Sequence, residues 1–118
     1  MDQNQFEVTR QDHDDVSVLA IKGFLDAHTA PEFEFAIQEL LQNNRYKMVV
    51  DFQELNYISS AGLGVFMGFI EEVRKNGGDI KLAQMNEKVF KIFDLLGFPN
   101  LYEIYKSRNE AIQKFRTT

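Results

Sequence analysis

Apolar and polar positions alternate from Phe6 through Val8 to Arg10, the period of a strand with one covered face. Gln11 to Asp15 is polar and acidic and predicts a hairpin turn. From Val16 to Lys22 apolar residues stand on both faces, which predicts a central second strand, and Gly23 ends it. Phe33, Ile37, Leu40 and Leu41 then share one face of a helix. Thr29 with Glu32 predicts a capping box, Pro31 fits a first turn, and Asn43 and Asn44 close the helix.

Tyr46 to Phe52 is a continuous apolar run ending in an acid and one aromatic. Such a run predicts a parallel strand buried on both faces. Leu55 and Ile58 carry the apolar pattern into a turn. The next helix is predicted over Leu63 to Lys75, with Leu63, Phe66, Met67, Ile70 and Val73 as its core face. Val65 and Phe69 fall on a different face, and Gly64 and Gly68 on a third. Gly77 and Gly78 stop the helix.

Ile80 and Leu82 mark another strand. Asn86 caps a helix that puts Val89, Ile92, Phe93 and Leu96 on one face, and Gly97 ends it. Leu101 to Tyr105 reads as a short strand. Ser107 with Glu110 opens a last helix carrying Ala111, Ile112 and Phe115. The order β-β-α-β-α-β-α-β-α predicts an α/β fold: one mixed sheet of about four or five strands against about four helices.

The length of 118 residues suits one domain, spanning 1–118. A net charge of −5 argues against nucleic acid, because duplex binding leans on clustered Lys and Arg. The absence of cysteine removes disulfides, thiolate zinc sites and Cys nucleophiles. With only His13 and His28, a His-rich metal site is not expected. The polar start M-D-Q-N-Q-F-E is unlike a secretory signal, and no apolar run reaches membrane-spanning length. The expectation is a cytoplasmic domain without direct membrane insertion, most simply a monomer.

The stretch D-F-Q-E-L-N-Y-I-S-S-A-G-L-G, Asp51 to Gly64, joins a strand signal to a helix signal. A serine at such a turn sits where backbone N–H groups lack partners, a setting that suits a cap or a phosphate. Ser60 reads structurally as the N-cap, and Ser59 as a solvent-facing turn serine. Gly62 and Gly64 would let the turn approach the sheet, or a partner approach Ser60. Val65 and Phe69 are either buried against another element or exposed to a partner. An enzyme is not expected. Positions 58 to 62 read I-S-S-A-G and lack the first Gly of a hydrolase elbow, and a base for Ser60 would have to be His13 or His28, the former in a polar loop.

Four stretches in order resemble the STAS domain, and within it the single-domain anti-sigma-factor antagonists. G-F-L-D-A-H-T-A, Gly23 to Ala30, is similar to the family's G-x-L-D-x-x-T-A loop. Asp51 to Val65 is similar to its D-[LF]-x-x-[LV]-x-[FY]-[IM]-D-S-[ST]-G-L-G-V. The others are Gly77-Gly78 before a strand and K-I-F-D-L-L-G-F, Lys91 to Phe98. The resemblance implies the STAS fold, no catalytic activity and no cofactor. It implies a partner, a histidine-kinase-like serine kinase that doubles as an anti-sigma factor. The unmodified antagonist binds that kinase, phosphorylation of one serine ends the binding, and a PP2C-type phosphatase reverses it.

The acceptor serine stands two residues before the Gly of G-L-G, so the match is Ser60, with Ser59 as fallback. The resemblance extends partner contacts to Asp26, Thr29, Ser59, Ser60, Ala61, Gly62, Gly64, Val65 and Phe69. Thr29 could equally be a structural cap, and Asp26 a turn or cap acid. Ser59 replaces the family's usual Asp, Ala61 its Ser or Thr, and Phe24 stands where Glu is frequent. Other STAS roles share these motifs: a two-component, secretion or stressosome-like regulator, or an accessory subunit of an ABC-type lipid transporter.

Overall fold

The computed structural model describes residues 5–116; the first four residues of the polar N-terminal stretch, and residues 117–118, lie outside the described part. The elements are β1 (Glu7–His13), β2 (Val16–Leu25), α1 (Ala30–Gln42), β3 (Lys47–Ile58), α2 (Ser60–Lys75), β4 (Asp79–Ala83), α3 (Glu87–Leu95), a 3-10 turn (Phe98–Asn100), β5 (Ile104–Tyr105) and α4 (Arg108–Lys114). This is the expected order. The five strands form one sheet in chain order, with β1 antiparallel to β2 and all other neighbours parallel.

Strand alternation divides the core in two. Leu19, Ile21, Met48, Val50, Ile80 and Leu82 meet Phe33, Ile37 and Leu40 of α1, Leu63, Phe66 and Val73 of α2, and Val89 and Phe93 of α3. On the other face Val16, Val18, Val49 and Ala83 meet Ala111 and Ile112 of α4. The two-sided apolar pattern of β2 and β3 thus reflects helices on both sides of the sheet.

Several boundaries differ from expectation. The hairpin turn is only Asp14 and Asp15, because Gln11, Asp12 and His13 continue to pair with β2 while Asp14 takes the left-handed turn at φ 59°. Gly23 does not end β2. It sits at φ 91° beside an irregularity in register, and the strand resumes to Leu25. β3 likewise runs past Phe52 to Ile58, because the lengthened β2 keeps pairing with it through Lys22–Glu54, Phe24–Tyr57 and Leu25–Ile58.

The buried arc of α2 is turned from the predicted one. The helix packs on the sheet and also against α1, so Val65 and Phe69 turn inward and Met67 turns out, 49% exposed. Leu96 follows α3 and is exposed, not core. Asn86 and Ser107 cap α3 and α4 as expected, accepting from the N–H groups of Val89 and Glu110 at 2.8 and 3.1 Å. Thr29 occupies the N-cap position of α1 but makes no side-chain cap bond, so the predicted capping box is absent.

Candidate functional site

β2 and β3 deliver two segments to the same end of the sheet: the Asp26–Thr29 loop and the Ser59–Ser60 turn. The last paired residues are Leu25 and Ile58, and the Ser59 N–H then donates to the Leu25 carbonyl at 2.9 Å. Backbone bonding therefore ties the two segments rigidly together.

The two serines exchange the roles expected of them. Ser59 is the N-cap, in extended conformation, and its Oγ accepts the Gly62 N–H at 3.4 Å. Its carbonyl accepts the Leu63 N–H at 3.0 Å. Ser60 is the first residue of α2 and is exposed. None of the hydrogen bonds that fix the turn uses its hydroxyl. The reason is geometric: an N-cap must lie just outside the helix in β-type backbone, and Ile58 and Ser59 still continue the strand direction. Among the described residues the Ser60 hydroxyl thus has no hydrogen-bond partner, and it sits above the partial positive charge of a helix start.

Gly62 is packed against Leu25 and Ile58, whereas Gly64 has open space around it. Ala61, Gly64 and Gly68 are exposed with Ser60. At i, i+4 and i+8, Ser60, Gly64 and Gly68 leave one helix face without bulky side chains beside the hydroxyl. Val65 is 5% exposed and belongs to the main core, which corrects its reading as a surface contact. Phe69 is half-buried against the same core. Both point inward because α2 packs on the sheet with α1 at its flank.

The loop residues are engaged with one another. Asp26 Oδ1 accepts the N–H groups of His28 and Thr29 at 2.9 and 3.2 Å. The Thr29 hydroxyl donates to the Phe24 carbonyl at 2.8 Å and accepts the Asp26 N–H at 3.0 Å. These bonds build a closed loop whose shape follows from its own side chains. His13, expected in an exposed loop, is the last residue of β1, opposite Val16 at the start of β2. It therefore stands at the far end of the sheet from Ser60 and cannot act as its base.

Two features were not foreseen. Phe24 and Tyr57 are cross-strand partners with ring centroids 5.4 Å apart. Both rings stood in the sequence, but their pairing depends on β2 and β3 running past their predicted ends. On the α4 face, Asp51 is 2% exposed and accepts from Arg108 Nε at 2.8 Å, Gln84 Nε2 at 2.7 Å and the Gln53 N–H at 2.9 Å. An acid inside an apolar strand signals such a network; its partners, 33 and 57 residues away in sequence, are not signalled. Among the described residues no cluster of three or more His, Cys, Asp or Glu is placed to hold a metal, and no helix is long and apolar enough to cross a membrane.

The site is thus an exposed serine at a strand-to-helix turn of a mixed five-stranded sheet. The family model for the STAS domain matches residues 7–111. The chain belongs to the STAS domain family. It is 28% identical over 104 residues to the anti-sigma-B factor antagonist of Bacillus subtilis, covering 88% of this chain and 94% of that protein. The anti-sigma-B factor antagonist of Listeria monocytogenes is 27% identical, with 88% and 90% covered. The Bacillus anti-sigma factor antagonist SpoIIAA has the same fold. Its unphosphorylated form superposes with a TM-score of 0.74 at 21% identity, over 97% of this chain and 100% of that one. A structure of its phosphorylated form superposes at 0.72 and 20% identity, over 94% and 99%.

Proposed function

We propose that this protein is an anti-sigma-factor antagonist that switches partners through phosphorylation of Ser60. Unmodified, it binds an anti-sigma-factor serine kinase with a histidine-kinase-like fold, and so frees the sigma factor. The kinase phosphorylates Ser60 and lets go, and a PP2C-type phosphatase resets the switch in the cytoplasm. The observation that carries this reading is the division of labour at the turn: Ser59 is spent on the cap, and Ser60 is exposed with a hydroxyl that has no hydrogen-bond partner among the described residues. The names of the relatives support the class of partner.

Physical chemistry makes the switch one of surface rather than fold. A phosphoryl group on the first residue of α2 meets the positive end of the helix, so the domain stays folded. The same group adds about −1.5 to −2 charge where a partner must touch the helix face. Burying that charge opposite an unprepared surface costs several kcal/mol, enough to release the complex. Asp26, Thr29, Ala61, Gly62 and Gly64 shape or line this face. Phe69, half-buried against the core, stands about 180° around α2 from Ser60 and is not part of this face.

Capture from the native organism with Ser60→Ala and Ser60→Asp as separate baits tests the reading. The Ala form is expected to retain a histidine-kinase-like anti-sigma factor, and the Asp form to lose it. That kinase, purified, is expected to phosphorylate wild type and not Ser60→Ala. Retention of the same kinase equally by both baits would contradict the switch.

A further inference from the structure

Among the described residues, aromatic rings pair at eight places. Seven of these pairs join Phe33, Phe52, Phe66, Phe93, Phe98 and Tyr102, all within the core between the sheet and α1, α2 and α3. The eighth, Phe24 with Tyr57, belongs to neither core. Its rings are tilted 43° to each other, with Tyr57 42% exposed and Phe24 half-buried. Tyr57 lies three residues before Ser60, and Phe24 lies two before Asp26. The next step of the same ladder, Leu25 with Ile58, leads directly into the Ser59 cap.

Two rings outside both cores add little to the stability of the fold. Exposed aromatic rings, Tyr among them, are enriched among the side chains that anchor protein interfaces once a partner covers them. Lys22 and Glu54 face each other two steps back in the β2–β3 ladder, and Lys22 also faces Glu7 of β1. Asp26 directs Oδ1 into its own loop. The two rings offer a partner an apolar contact that leads along the ladder into the Ser60 turn, bordered on the Phe24 side by Asp26 and Glu32.

We propose that Phe24 and Tyr57 form the apolar anchor of the Ser60 face. The anti-sigma-factor kinase that engages unmodified Ser60 packs an apolar side chain on the two rings. This rests on the switch reading above and divides its work: the rings set affinity and partner choice, and the phosphate sets when the partner leaves.

The test uses the purified kinase identified with the Ser60→Ala bait. Its affinity is measured for wild type, Phe24→Ala, Tyr57→Ala, the double variant, Tyr57→Phe and a control, Phe35→Ala. Phe35 lies on α1 and is exposed. Thermal unfolding of each variant verifies the fold, and Phe24→Ser serves if Phe24→Ala unfolds. Removal of either ring is expected to weaken binding about tenfold or more, the double variant further, while Tyr57→Phe and Phe35→Ala stay within about twofold of wild type. Wild-type affinity in the ring variants would overturn the anchor and leave the switch standing. An equal loss in Phe35→Ala would also overturn it. If no anti-sigma kinase binds even Ser60→Ala, both readings fall.

Discussion

Gly62 rests directly on Leu25: a Cβ at position 62 would lie 2.8 Å from Leu25 Cγ and 2.9 Å from the Leu25 carbonyl oxygen. The start of α2 is thus seated on the end of β2, which holds the Ser60 turn against the strand that leads into the Asp26 loop. Gly64, two residues on, has no heavy atom within 4 Å of its notional Cβ. Gly62→Ala is expected to destabilise the protein by about 1–3 kcal/mol through overpacking. Gly64→Ala is expected to raise stability by about 0.4–1 kcal/mol, since a helix interior prefers Ala. Denaturant titration of the two variants checks this contrast. If Gly64→Ala also weakens kinase binding, its bare helix face is a contact surface.

Ser59 and Ser60 should separate stability from signalling. Ser59→Ala removes the cap to Gly62 and is expected to cost about 1 kcal/mol while leaving Ser60 modifiable. Ser60→Ala is expected to change stability by less than about 0.5 kcal/mol and to abolish modification. Equilibrium unfolding together with a kinase assay on both variants would show the two effects apart.

The Asp51–Arg108 pair ties α4 to the centre of the sheet. Arg108 is one-third exposed at its side chain, which limits the loss, and Gln84 keeps part of the Asp51 solvation. Arg108→Met is expected to destabilise by about 2 kcal/mol, because a buried carboxylate loses its counter-charge. Hydrogen exchange should rise first in α4. Unchanged protection there would mean that the apolar contacts of Ala111 and Ile112 hold the helix alone.

Glu103 governs part of the acid response. The Lys81 ammonium at 2.9 Å, aided by the Tyr105 hydroxyl, holds its carboxyl below the usual value of 4.5. A lowered folded value means that the folded state binds its proton less readily. The stabilisation is complete above 4.5 and is lost as pH falls through the folded value. Glu103 is half-exposed, so the effect is at most about 1 kcal/mol. Glu103→Gln should lower stability at neutral pH and flatten its decline below the ordinary carboxylate range. Unfolding midpoints measured from neutral pH down to acid test both parts.

The fold was legible where the apolar period was unambiguous. The valine-rich run of β3, the Phe33–Ile37–Leu40 face of α1 and the caps at Asn86 and Ser107 all lie where the pattern puts them. Legibility failed where a tertiary neighbour decided the outcome. β2 and β3 lengthen because each supplies the other's ladder past Gly23 and Phe52. Val65 turns inward because α1 flanks α2, which a single-helix pattern cannot contain. At the site, the serine pair, Gly62 and the Asp26 loop stood out in the sequence. Which serine caps depended on the last residue of the strand, and the Phe24–Tyr57 pair depended on its register.

The most direct measurement is the intact mass of the protein isolated from its own cells, with the modified residue mapped, for wild type and Ser60→Ala. The account predicts a fraction of wild type carrying one phosphate on Ser60, and none in the variant. Phosphate mapped to Ser59, or no phosphate across growth conditions in which the anti-sigma kinase is present, would contradict it.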